Sequence, residues 1–196
     1  MKRLHTLLTG FVAAFLIVAV PTAALAQKSP VILFIDEGKL MATSKAGQSI
    51  SAQLKTLSEA AEAELKAEGK KVEDEGKKLQ DSKDSLSKED FAKRYQALLG
   101  RAQQVGQLEQ IKKAELAQAR GKALVDLNKA LQPVVKDILD KKKATVLLER
   151  SAVVFANDDM DITEEIVKAL DKKVKTVKVE KVDLIAQAKA AQAAQR

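Results

Sequence analysis

The sequence predicts an α+β protein in which a long antiparallel α-helical hairpin is inserted into a small β-containing body. Three observations carry that prediction. Short apolar runs of strand length, "VILFI" at 31–35, "TVLLE" at 145–149 and "AVVFA" at 152–156, lie on either side of a long polar stretch. That stretch, residues 51–140, is dominated by Ala, Leu, Lys, Glu and Gln, the composition of long helices. It is interrupted once, at 79–90, where "LQDSKDSLSKED" concentrates Ser and Asp, whose side chains compete with the helix for backbone hydrogen bonds.

The chain opens with an export signal. Lys2 and Arg3, an apolar run from Leu7 to Val20 and the small residues before Gln27 form a secretory signal peptide, residues 1–26, cleaved after Ala26. The solid apolar run is shorter than the roughly 20 residues a bilayer span needs. The expected mature chain is therefore exported and soluble. The first strand, 31–35, is bounded by Pro30 and by Asp36-Glu37-Gly38, and a helix comes next over 39–49 with Gly47 as a weak point. Residues 27–50 and 141–172 together make the body. The first arm runs from 51 to about 84 and the second returns from Ser87 to 140, with Ser87 as N-cap and Glu89 and Asp90 in the first turn. Two further strands, the turn Asn157-Asp158-Asp159 and a last helix capped by Asp161 or Thr163 complete the body. Residues 173–196, rich in Lys and Val and then in Ala and Gln, are expected to be a disordered tail outside it.

Composition removes most chemistry. The chain has no Cys and no Trp, and its one His, His5, lies in the signal. Neither a Cys–His nucleophile pair nor a zinc site of His and Cys can be built, and no phosphate-cradling Gly-rich loop is present. Acids are interleaved with Lys at helical spacing, the pattern of a solvated face. The reading is a non-enzyme without cofactor, metal or catalytic residues.

The apolar stripe of the arms is graded. Near the base, Leu124, Leu127, Leu131, Val134 and Ile138 alternate spacings of three and four, a full seam. Farther out, Leu65, Val72, Leu79 and Leu86 on the first arm face Phe91, Leu98 and Val105 on the second, one apolar residue per heptad. Such arms have too little to bury for core helices. Gly69, Gly76, Gly100, Gly106 and Gly121 each cost ~1 kcal/mol relative to Ala in a helix interior, so the hairpin is expected to be pliant toward its tip. Charge divides between the arms. Residues 51–84 carry seven Lys against nine acids, a net of minus two; residues 91–136 carry nine Lys and Arg against three acids, a net of plus six. The arms attract, and the excess positive charge, including Arg101, Lys112, Lys113 and Arg120, is free to recruit an acidic partner. Phe91 and Tyr95, four apart beside the turn, either clamp the tip or offer apolar surface to a partner. Three short strands leave open edges, so an oligomer is expected, with Val31, Leu33, Ile35, Val146, Leu148, Val153 and Phe155 at its interface.

This order of elements resembles the Skp/OmpH family of periplasmic chaperones for outer-membrane proteins. The resemblance spans about 31–172 and rests on "VILFID", the Gly47 region, "LSKEDFAKRYQALLGRAQQV" and "TVLLERSAVVFANDDMDITEEIVKAL", with "DIT" at 161–163 the most specific piece. It implies a periplasmic homotrimer with a central β-body and three helical tentacles around a cavity. It also implies ATP-independent holding of unfolded β-barrel proteins. The basic arm leaves anionic lipid or lipopolysaccharide open as a partner, and an exported coiled-coil spacer or adaptor is the structural alternative. Nucleic acid is disfavoured, despite a pI near 9.4, by export and by the scarcity of exposed aromatics.

Overall fold

The computed structural model describes residues 29–194, so the expected signal peptide lies outside the described residues. Strand β1 (Ile32–Ile35) leads into helix α1 (Glu37–Thr43), then α2 (Lys45–Asp81), a 3-10 turn at Lys83–Ser85, and α3 (Lys88–Lys142). Strand β2 (Val146–Glu149), helix α4 (Thr163–Lys173) and helix α5 (Leu184–Ala193) complete the order. Helices α2 and α3 are the hairpin, with 37 and 55 residues. At ~1.5 Å per residue they measure on the order of 55 and 80 Å.

The first helix is two helices. Ser44 adopts an extended conformation between α1 and α2 and caps α2, its Oγ accepting from the Gly47 amide at 3.0 Å. Gly47 is required here by close approach. A Cβ would fall on the Met41 backbone, 2.8 Å from its Cα, so glycine permits the sharp turn out of α1. The Asp171 carboxylate of α4 accepts from the Lys45 amide at 2.8 Å and satisfies another free donor at the start of α2. At the far end Ser87 caps α3 as its sequence predicts, accepting from the Asp90 amide at 3.1 Å. Helix α3 continues through Pro133, which removes one backbone bond and crowds the Lys129 carbonyl. The buried seam of Leu127, Val134 and Ile138 holds the helix together across it. The helix stops at Lys143 with a left-handed φ of 54°, and the Ala144 amide closes on the Leu139 carbonyl at 2.9 Å.

The body is organised on β1. Strands β1 and β2 are parallel, pairing Ile32 with Val146 and Phe34 with Leu148. The expected third strand at 152–156 does not form. Residues Arg150–Ala152 are a 3-10 turn and the segment after them has no sheet partner. The other edge of β1 is taken instead by the "DIT" segment. Phe34 bridges Asp161 in parallel, and the Ile162 amide donates to the Phe34 carbonyl at 3.1 Å. Asp161 Oδ1 accepts from the Thr163 amide at 2.8 Å and so serves the start of α4. Thr163, fully buried, uses its Oγ1 to accept from the Asp36 amide at 2.8 Å. The three residues weld α4 to the first strand. Ile166 and Leu170 of α4 are then buried in one core with Leu33, Ile35, Leu40, Ile50 and Ile138, each contributing about 1.5–3 kcal/mol of burial.

The tail also departs from expectation. Residues 174–183 are an ordered, extended strap rather than disordered chain. Val177 and Val179 are buried, and Val174 and Val182 pack against the same core. The valines at every second or third position supply the apolar face that a disordered segment would lack.

Candidate functional site

No described helix is long and apolar enough to cross a membrane, and the feature that dominates the molecule is the hairpin surface. Its base is sealed by Ala119, Ala123, Leu127, Val134 and Ile138, all buried on α3. Toward the tip the seal thins as the heptad pattern predicts. Leu65, Val72, Leu86, Phe91, Leu98 and Val105 are only half-buried, and Leu79 alone of the outer stripe is buried. Between the arms lie two open grooves. One, of about 390 Å³, has Val72, Val105, Leu108 and Ile111 among its apolar walls and Glu68, Lys71 and Arg101 at its rim. The other, of about 340 Å³ and nearer the tip, is lined by Leu79, Ala97 and Leu98 with Lys78, Arg94 and Arg101. An apolar floor with a rim of long charged side chains suits weak, adaptable contact with extended chain.

The charges bridge the arms at two levels. Glu75 pairs with Arg101, and Glu64 pairs with Lys112 at 2.9 Å. Lys112 also reaches Glu115 at 3.4 Å, and its side chain is only 13% exposed. The bond to Glu64 raises the Lys112 pKa against the opposing effect of burial. Two of the four basic residues expected to recruit a partner are thus committed to holding the arms. Lys113 pairs with Glu109 on its own helix at 2.6 Å. Arg120 is exposed, and among the described residues it takes part in no ion pair.

At the tip, the Phe91 and Tyr95 rings stack at 6.4 Å with planes 7° apart. Tyr95 is 47% exposed and Leu99, another four residues on, is also exposed. From the half-buried Phe91 onward, Tyr95 and Leu99 carry an exposed apolar stripe along the helix; the spacing of four points to Phe91 and Tyr95 and misses Leu99.

The expected interface residues divide between the two faces of the sheet. Leu33 and Ile35 point into the chain's own core, which their unbroken apolar run could not reveal. Ile32, Val146 and Leu148 share the opposite, exposed face. Phe34 lies on that face under the Arg150 guanidinium, 5.3 Å from its ring centroid. Val31 is exposed at the strand's start and Val153 is half-buried. Beyond them Val154 and Phe155 are 102% and 85% exposed, a level of apolar exposure unusual for a single folded chain.

Residues 31–170 match the family model for OmpH-like outer membrane proteins. A crystal structure of a candidate OmpH-like outer membrane chaperone from Caulobacter crescentus CB15 aligns with a TM-score of 0.72 and 27% identity. The alignment covers 80% of this chain and 92% of that one. No curated protein matches.

Proposed function

We propose, for a chain that belongs to the OmpH-like family of outer membrane proteins, that it is an ATP-independent holding chaperone. Its clients are unfolded outer-membrane β-barrel proteins in the periplasm, which it keeps from aggregating. The observation that carries this reading is the graded hairpin. A sealed base supports an outer half whose apolar residues stay half-exposed along open, charge-rimmed grooves. Contacts of this kind are individually weak and numerous. They release a client by equilibrium, with no step driven by nucleotide.

The working form is a homotrimer joined through the outer sheet face. The exposed Ile32, Val146, Leu148, Val154 and Phe155 favour this, since β2 has a free edge and the segment after it is strand-competent and unpaired. Three hairpins around one axis would enclose a shared space in which a client chain is kept from other clients.

Dilution of urea-unfolded porin into buffer, followed by light scattering, tests the function. The chain is expected to suppress scattering at a near-stoichiometric ratio of trimer to porin without nucleotide. Unchanged scattering at tenfold excess would refute the reading.

A further inference from the structure

The matched family region ends at residue 170, and the chain beyond α4 is held in an unusual way. The strap 174–183 is extended but pairs with no strand; side chains hold its backbone. The Gln53 carboxamide on α2 does this at two points. Its Nε2 donates to the Val177 carbonyl at 2.8 Å, and its Oε1 accepts from the Val179 amide at 3.0 Å. A carbonyl at one residue and an amide two residues on are the groups a strand offers to a single residue of a parallel neighbour. One side chain on a helix thus reads the chain as a strand would. Farther along, Glu115 Oε1 on α3 accepts from the Leu184 amide at 3.0 Å.

The side chains of the strap are sorted accordingly. Val177 and Val179 are buried, while Lys178 and Glu180 between and after them are exposed. The register slips once, and Val182 and Leu184 are half-buried in turn. Apart from the exposed Lys122–Glu180 pair, what is recognised is backbone plus apolar residues at nearly alternate positions. Space remains beside it. A cavity of about 190 Å³ adjoins Val182, walled by Leu57, Ala60, Leu116 and Ala119 and bounded by Glu64 and Lys112.

We propose that the groove between the bases of α2 and α3 is a docking site for an extended segment with apolar side chains at alternate positions. The chain's own residues 174–184 are its resident occupant. The partner that displaces them is a strand of an unfolded β-barrel, whose membrane-facing residues alternate in the same way. This rests on the holding function proposed above and gives that function a site at the base of the arms, which Ile185, next after the strap, joins to the mid-arm groove. The strap sets a threshold, since a client segment must outcompete it.

The test uses the full chain, a full-length Val177→Ser/Val179→Ser variant that loosens the strap, and the same variant carrying Gln53→Ala. The probe is a fluorescent peptide, VKTVKVEKVDL, with a scrambled control that destroys the alternation. Anisotropy is expected to show the strap variant binding the peptide at least tenfold more tightly than the parent. Gln53→Ala is expected to cancel most of that gain, the scrambled peptide to bind weakly, and unfolded porin to displace the probe. No gain in the strap variant, with hydrogen exchange showing the 177–179 amides released and the body still protected, overturns the site. A strap variant whose body unfolds overturns it as well, because the strap is then a structural clasp. The Gln53→Ala single variant, which leaves the core valines intact, checks this independently by faster exchange at Val179 alone. Gain of peptide binding without any porin binding would uphold the groove and reject the chaperone reading.

Discussion

Thr163 shows how one residue can serve two elements. Its hydroxyl is fully buried and accepts from the Asp36 amide, so Thr163→Val leaves that donor without its partner. The expected loss is about 1–3 kcal/mol in urea unfolding, with Thr163→Ser retaining most of the stability; equal stability of Val and Thr would contradict the role. Lys143 is the opposite case, a non-glycine residue at positive φ. Lys143→Gly should raise stability by roughly 1 kcal/mol, and a loss would show that its side chain matters more than its backbone. The ion pairs fix the pH response. Lys39 lowers the Glu164 pKa and Lys122 lowers that of Glu180, so both contributions are present above the ordinary glutamate value of about 4.3 and are lost as pH falls through the depressed values. The same pairs raise Lys39 and Lys122, whose contributions hold below about 10.4 and are lost as pH rises through the raised values. The melting temperature should therefore be flat from roughly pH 5.5 to 8.5, and a steep slope there would contradict these assignments. The sequence displays the Ser87 cap because a cap is a local signal. It cannot display Gln53 as a backbone clamp, since its partners are 124 and 126 residues away.

The elements are legible where periodicity or composition is strong. The interruption within 79–90 emerges from its concentration of Ser and Asp, and the change from full seam to thin stripe emerges from the spacing of apolar residues. The third strand fails because "AVVFA" carries strand propensity but, in one chain, no neighbour to pair with; β1's second edge goes to the "DIT" segment, which is too short, and too close to the start of α4, to read as a strand. The arm charges are also half-legible. Composition shows the sign of each arm, while only geometry shows that Arg101 and Lys112 face Glu75 and Glu64. Arg101→Glu with Lys112→Glu should therefore loosen the hairpin, seen as faster amide exchange around 64–75, before it alters encounter with a client. Reversing both partners, with Glu64→Lys and Glu75→Arg added, should restore protection; failure to do so would show that the pairs do not couple the arms. Gly69, Gly100, Gly106 and Gly121 have open space where a Cβ would sit, so packing does not require them. Alanine at all four should stabilise the helices by up to ~1 kcal/mol each and, if pliancy serves holding, weaken suppression of porin aggregation. Equal or better suppression by the stiffened hairpin would show that pliancy plays no part in holding.

At the scale of the molecule, the single chain has a well-packed core at the root of the hairpin and two surfaces that call for partners. One is the outer sheet face with Val154 and Phe155. Val154→Asp with Phe155→Asp is expected to shift sedimentation equilibrium from trimer toward monomer while helicity is retained; a wild-type chain that is already monomeric at micromolar concentration would sink the assembly. The other is the arms, and on them the central claim rests. It is tested most directly by photo-cross-linking to unfolded porin, with the photoreactive residue placed in turn at Val105 in the mid-arm groove, at Tyr95 near the tip, and at Lys168 on α4 of the body. Porin adducts are expected from Val105 and Tyr95 and none above background from Lys168. Adducts from Lys168 alone, or suppression of aggregation with no adduct from either arm position, would contradict a client held by the arms.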